Sequence, residues 1–507
     1  MTITLTGNDL TFEQMHTVVA HDEKVSLSTG SVERMNASRA VVEKLVASGK
    51  TAYGINTGFG KLASVRISAE QVRQLQVNLV RSHACGVGEP LSRGETRGMI
   101  LLRANALAKG LSGVRPAVVK TLCDMLNAGV HPVIPSQGSV GASGDLAPLA
   151  HLAQVVIGEG QAEFQGKILP GAEALKLAGI SPVALEAKEG LSLLNGTQGM
   201  LSLLGIALYR ADVLADTADV AASLSLDALR GSPGAFDARI MHARAYSGAA
   251  RTALNLAHLN DGSQIRESHR SAEKDPRVQD AYSLRCTPQV HGAVRDSLLQ
   301  ARAMAQVELN SATDNPLVFV KEGGDGDIVS GGNFHGQPLA MAADQVAIAI
   351  ATLSGISERR IEQMTNPLTS MLPAFLTPEP GLNSGFMIAQ VTAAALTSEN
   401  RALAAPHSVD SISTSGNQED YVSMGMSGAR RLDRMLANLR HILAIELLCA
   451  CQGIDLLAPL KTGTLATKAY DAVRAKSPKV VADRPLAPDI NAVSALIAAG
   501  TFAQLVC

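Results

Sequence analysis

The chain has 507 residues, room for about three domains of roughly 150 residues each or for one large helical unit, which excludes a small disulfide module. Its 44 Lys and Arg stand against 46 Asp and Glu, a net charge of −2, so no global field attracts nucleic acid or an acidic membrane. Hydrophobic residues make up 46% and charged residues only 18%, below the roughly 25% charged of typical soluble domains. That balance points to surface buried between subunits. With 3% aromatics and no Trp, the core must be built from Ala, Leu, Val, Ile and Met, which suits closely spaced helices.

The residues from Glu13 to Lys50 read as helix, and TAYGINTGFG at 51–60 reads as a loop with three glycines. A helix follows from Ala69 to about Arg81, then the Gly-containing stretch HACGVGEP at 83–90, then helix again near Thr96. Gly110 to Arg115 suggests a soft boundary, giving an N-terminal loop-bearing domain at 1–110 and a helical domain at 111–507. The most punctuated run, HPVIPSQGSVGASGDLAP, ends in Asp145, which is expected to cap a helix carrying Pro148 in its first turn. Two hairpins are expected, at Ala162–Leu169 with Gln165-Gly166 as the turn and at Leu317–Val329 around GGDGD. Long helices are expected at Gly199–Leu229, Val290–Leu309, Gln337–Met364, Met387–Ala405 and Tyr421–Leu457, the last three with apolar positions three and four apart. The architecture is therefore mainly α, a long central helix bundle with small β-hairpins.

Six cysteines without a repeated spacing, Cys85, Cys123, Cys286, Cys449, Cys451 and Cys507, read as reduced thiols of a cytoplasmic protein. The polar stretch from Met1 to Leu10 does not read as a secretory signal. The uncharged windows Leu191–Tyr209 and Pro380–Ser398 contain Asn, Gly, Thr and Gln and read as buried helices, not membrane spans. No dinucleotide or phosphate loop has the required spacing, and His83 with Cys85 makes at most a fragment of a zinc site, so no metal is expected. Gly141-Ala142-Ser143-Gly144 fails the nucleophile elbow because Asp145 stands where the second glycine belongs.

Ser143 lies between Ala142 and Gly144, the two smallest residues, in a loop that opens a helix. Taken alone, this is a tight turn. Ordinary side chains offer nucleophiles, acids and bases but no good electrophile, and an Ala-Ser-Gly segment can make one from itself. If Gly144 N attacks the Ala142 carbonyl carbon and two waters leave, one of them with the Ser143 hydroxyl, the product is a methylidene-imidazolone. Gly144 permits the close approach, Ala142 leaves room, and the start of the following helix would favour negative charge developing at the ring.

At this point the chain resembles the bacterial histidine ammonia-lyases of the aromatic amino acid ammonia-lyase family. GSVGASGDLAPLAH carries the resemblance, with TAYGINTGFG, SHACGVGEP, LLNGTQGM, GGNFHGQP and GNQEDYVSMG in order around it. The resemblance implies removal of ammonia from L-histidine to give trans-urocanate, the first step of histidine degradation. It also implies the self-formed methylidene-imidazolone with no external cofactor, a fumarase/aspartase-like architecture, and a homotetramer whose active sites draw on three subunits.

By the same resemblance Tyr53 is the base that removes the β-proton, in a lid bearing Gly54, Gly58 and Gly60. Asn195 binds the ring oxygen and the polar end of the substrate, although a helix cap is its ordinary reading. Tyr282 and Arg285, three apart, share a helix face; Arg285 becomes the carboxylate clamp, with Gln279 and Tyr282 beside it. The catalytic set is then Tyr53, Ala142, Ser143, Gly144, Asn195, Tyr282 and Glu419, and the substrate-binding set His83, Gln279, Arg285, Phe334 and Gln418. Phe334 is the aromatic wall. His83 and Glu419 suit an imidazole and favour histidine over phenylalanine, while Tyr421 stands where relatives often have His. A phenylalanine or tyrosine ammonia-lyase, an aminomutase and a non-catalytic binder of imidazole metabolites are the alternatives.

Overall fold

The computed structural model describes residues 2–49, 52, 54, 55, 57, 67, 68, 71–271, 273–275 and 277–506. The described chain is 61% helix and 8% strand, the mainly α class expected. It divides into two compact units, each discontinuous in sequence: Met1–Ile206 with Arg302–Asp344 and Pro406–Arg430, and Ala207–Ala301 with Gln345–Ala405 and Arg431–Cys507.

In the first unit, the single helix expected over 13–50 is two helices, Phe12–His21 and Thr29–Ala47, parted by a strand. A reciprocal cap between Thr11 and Gln14 starts the first helix, and Asp22, at φ 55°, ends it. Val25–Leu27 then pairs in parallel with Ile3–Leu5, and the Ser28 side chain accepts the Ser31 N–H to begin the second helix. Arg93–Ala108 opens on the same kind of reciprocal cap, Ser92 with Glu95, and is buried continuously from Thr96 to Ala108, so it forms the centre of this unit. Val41, Val42, Ile55, Val72, Ala187 and Val318 form a buried core cluster in the same unit. Both expected hairpins are present, Gln161–Phe164 with Lys167–Pro170 and Leu317–Val320 with Gly326–Val329. The first turns through Gln165 and Gly166 at φ 51° and 78°, the left-handed pair that suits a two-residue hairpin.

Five long helices, Gln198–Ala228, Thr287–Leu309, Gln337–Thr365, Met387–Leu403 and Gly425–Leu456, match the five expected, the last starting four residues later than expected. Among the described residues, Gln337–Thr365 is the helix long and apolar enough to cross a membrane, and 61% of its most apolar window is buried within the protein. Its apolarity serves packing. The expected window at Pro380–Ser398 begins in a turn and becomes helix only at Met387.

The second unit buries charge as well as hydrocarbon. Arg360 and Glu446, both fully buried, pair at 2.5 Å, and Ser225 Oγ donates to the same carboxylate at 2.9 Å. His291 sits between Asp219, at 2.7 Å from Nδ1, and Arg360, whose guanidinium donates to Nε2 at 3.3 Å. Burial and the Arg360 charge lower the His291 pKa, while the Asp219 hydrogen bond opposes them, and the ring bridges the two charged side chains. Breaking such a pair leaves one uncompensated charge, which costs about 3–5 kcal/mol. Arg360→Met is expected to lose stability on that scale in urea unfolding, and Arg360→Met with Glu446→Leu to recover most of it; a single variant within about 1 kcal/mol of wild type would contradict this.

Candidate active site

The site lies in the first unit and is built on a backbone contact. Gly144, at φ 79°, pairs with Gly196 in an isolated parallel bridge, and Asp145 N donates to Gly196 O at 2.7 Å. A Cβ on Gly144 would stand 2.1 Å from Gly196 O, so only glycine allows this approach. The other side of the loop is held by Ser423, which donates to Gly141 O at 3.0 Å, and by Met424 N, which donates to Val140 O at 2.8 Å.

Asp145 occupies the cap position of helix Leu146–Val156, but its side chain does not cap that helix, a correction to the expectation. The carboxylate instead accepts Met200 N at 2.8 Å and Ser139 Oγ at 2.8 Å, so it caps Gln198–Ala228, a helix more than fifty residues further along the chain. Burial raises its pKa to about 6 against these hydrogen bonds. The carboxylate ties the loop that carries Ser143 to the start of a long helix.

A cavity of about 440 Å³ opens in front of the loop, lined by Ala142, Ser143, Asn195, Asn315, Ser330, Gly331, Phe334, His335, Gln418, Glu419, Asp420 and Tyr421. That volume is in the range of small-molecule sites. Ser143 Oγ donates to Glu419 Oε1 at 2.8 Å, and Glu419 Oε2 accepts Thr414 Oγ1 at 2.9 Å. Glu419 is further fixed by backbone pairing with Thr414 in both directions. Asn195 ends the helix Glu189–Leu194, as its ordinary reading expects, and it also lines the cavity. Its Nδ2 donates to Asn315 O at 3.0 Å, which leaves the amide oxygen for a ligand. His335 accepts Gln337 N at 3.3 Å and donates from Nε2 to Tyr421 O at 3.1 Å; its ring stacks on Tyr421 with centroids 6.2 Å apart.

His83 ends the helix Val72–His83 and is half-buried. Its Nδ1 donates to Leu79 O at 2.9 Å. Burial lowers its pKa, opposed by that carbonyl and by the Glu419 charge. With Nδ1 given to that carbonyl, Nε2 has no partner among the described residues, and His83 lies outside the residues that line the cavity. Tyr53, Gly58 and Gly60 lie outside the described residues. Gln279, Tyr282 and Arg285 belong to the second unit. There Tyr282–Arg285 forms one helical turn, with the guanidinium 4.7 Å above the Tyr282 ring, the shared face expected from their spacing. Tyr282 is 70% exposed, and Arg285 Nε is buried without a partner among the described residues.

The sequence singles out Ala142, Ser143, Asn195, Phe334, Gln418 and Glu419 of the cavity lining; Gly331 and His335 lie inside a quoted motif without being singled out, and Asn315 and Ser330 lie outside the motifs. Asn315 in Asp-Asn-Pro reads only as a turn, and His335 adjoins Phe334 inside a quoted motif. Among the described residues no cluster of three His, Cys, Asp or Glu side chains could hold a metal ion.

Comparison with known proteins finds that the family model described as aromatic amino acid lyase matches residues 10–475. The chain belongs to this family. It is 56% identical to a histidine ammonia-lyase of Koribacter versatilis over 98% of each chain. Among solved structures, histidine ammonia-lyase from Trypanosoma cruzi superposes with a TM-score of 0.91 at 43% identity, over 100% of this chain and 95% of that one. Tyrosine aminomutase from Streptomyces globisporus superposes with a TM-score of 0.94 at 38% identity, over 100% of this chain and 98% of that one. The expected superfamily architecture is therefore present. Aromatic amino acid lyases and aminomutases share this backbone, so what separates them lies in side chains.

The Gly144–Gly196 approach predicts that Gly144→Ala disrupts the loop, combining a left-handed backbone with a backbone clash. A loss of about 2 kcal/mol or more in thermal or urea unfolding is expected; a variant as stable as wild type would show that the loop is not locked by this contact.

Proposed function

We propose that the chain is a histidine ammonia-lyase, a carbon–nitrogen lyase that removes ammonia from L-histidine without oxidation and releases trans-urocanate. The observation that carries this reading is the hydrogen bond of 2.8 Å from Ser143 to Glu419. It joins the hydroxyl of a cyclisable Ala-Ser-Gly segment to a carboxylate suited to an imidazole N–H, in a cavity of amino-acid size. The high identity to the histidine ammonia-lyase of Koribacter versatilis supports the same substrate.

The segment Ala142-Ser143-Gly144 fits the self-formed electrophile, because Gly144 is held in a conformation and a cradle that no side chain could share. Closure joins Gly144 N to the Ala142 carbonyl carbon. The Ala142 oxygen leaves as water with the two amide protons of Ser143 and Gly144, and the Ser143 hydroxyl leaves as water with the Ser143 Cα proton. Once formed, the methylidene-imidazolone supplies an electrophile that converts the substrate amine into a leaving group.

The remaining roles belong to ordinary side chains. Glu419 accepts the imidazole N–H of the substrate, and His83 is the second group that can hydrogen-bond an imidazole. Asn195 presents its amide oxygen, with Nδ2 held by Asn315, and Phe334 and Gln418 close the walls. Tyr53 is the base for the β-proton; a phenol of pKa about 10 needs its anion stabilised to serve near neutrality. Arg285 clamps the carboxylate with Gln279 and Tyr282 beside it. A homotetramer that shares its sites between subunits is supported by large apolar side chains left at the surface, among them Val307, Met341, Ile348, Ile388 and Val391. Free cysteines at 85, 123, 286, 449 and 451 support a cytoplasmic location.

The test is the intact mass of the denatured chain beside turnover of L-histidine. Wild type is expected lighter than its sequence by two waters, and Ser143→Ala at its unmodified mass and inactive. Glu419→Gln is expected to keep the two-water deficit and to lose about ten- to hundredfold in kcat/KM for histidine. A folded wild-type chain at its unmodified mass would overturn the reading.

A further inference from the structure

Behind the cavity, in the middle of helix Arg93–Ala108, Arg103 is completely buried. Its Nη1 donates to the carbonyl of Asn195. Nε and Nη2 are buried and have no partner among the described residues. The carboxylate that acts on it is Asp314, itself 1% exposed. Asp314 is already committed: Oδ2 takes Lys188 Nζ and Ser192 Oγ, each at 2.7 Å, and Oδ1 takes Asn315 N at 2.7 Å. Lys188 is also wholly buried, so two buried cations share one carboxylate.

We propose that Arg103 is a positioning residue for the lyase reaction, a buried cation that fixes and polarises the Asn195–Gly196 peptide against the Ala142–Ser143–Gly144 segment. A neutral donor would satisfy one carbonyl at far smaller desolvation cost, so the charge calls for a use. Burial lowers the Arg103 pKa only to about 10, and the group stays charged at neutral pH. A guanidinium on the Asn195 carbonyl draws electron density from that peptide and makes the Gly196 N–H a stronger donor. That N–H belongs to the peptide packed on the electrophile loop, where a Cβ on Gly144 would lie 2.7 Å from Gly196 N. The approach is equally close from behind: a Cβ on Gly196 would lie 2.7 Å from Arg103 Nη1. Gly196 is thus clasped between the cation and Gly144. The same hydrogen bond holds the Asn195 backbone, and with it the carboxamide that lines the cavity.

The inference rests on the function proposed above, and the experiment separates the two. Arg103→Met and Arg103→Lys are purified, checked for folding by circular dichroism and gel filtration, and measured by intact mass and by kcat and KM for L-histidine. Arg103→Met is expected to fold but to close the segment incompletely, leaving a fraction of chains without the two-water deficit. Its kcat should fall about tenfold or more, with KM within about threefold of wild type, and Arg103→Lys should recover part of both losses. If Arg103→Met does not fold, Arg103→Gln, a neutral donor, is read in the same way. A folded neutral variant with the full two-water deficit and wild-type kcat would overturn the inference and leave the function intact. A wild-type chain without the deficit would overturn both.

Discussion

The site depends on one approach of backbone to backbone, Gly144 against Gly196. No side chain fits between these two strands of loop, and the bond from Asp145 N to Gly196 O at 2.7 Å sets their register. From that contact the rest follows in order. Ser143 is turned into the cavity toward Glu419, and Asn195, one residue before the contact, presents its carboxamide to the same space. Asp145, one residue after it, caps the helix that begins at Gln198. Three successive roles are assigned by position along the chain on either side of a single glycine pair.

Holding two loops this close buries polar groups that need hydrogen-bond partners, and the protein supplies several of them with charged side chains. Asp145 answers helix N–H groups and Ser139, and Asp314 answers Lys188, Ser192 and Asn315 N. Arg103 answers the Asn195 carbonyl. Buried charges of this kind are costly ways to stabilise a fold and effective ways to hold one geometry, because each has few alternative partners. The second unit repeats the device with Arg360 and Glu446.

The long helices were legible because an apolar stripe recurring every three or four residues has one solution in a bundle. The strand Val25–Leu27 was not, since three residues carry no period and its partner, Ile3–Leu5, lies across a whole helix in sequence. Local spacing also misses what Asp145 does: it points to the helix that Asp145 opens, whereas the carboxylate reaches one that starts at Gln198. In the site, the residues of the glycine-rich motifs could be found from sequence. Asn315 and Arg103 could not, the first because it reads as a turn before proline and the second because an arginine inside a helix reads as surface.

The backbone alone leaves the reaction open, since a tyrosine aminomutase superposes as well as a histidine ammonia-lyase does. The central claim is therefore about what Glu419 and His83 recognise and about release of ammonia. It is tested most directly by proton NMR of the products when the enzyme is given L-histidine, L-phenylalanine and L-tyrosine in turn. The account predicts trans-urocanate and free ammonia from histidine, at a kcat/KM about ten times or more that for either other amino acid. Cinnamate or coumarate formed at equal or greater efficiency, or a β-amino acid as the main product, would contradict it.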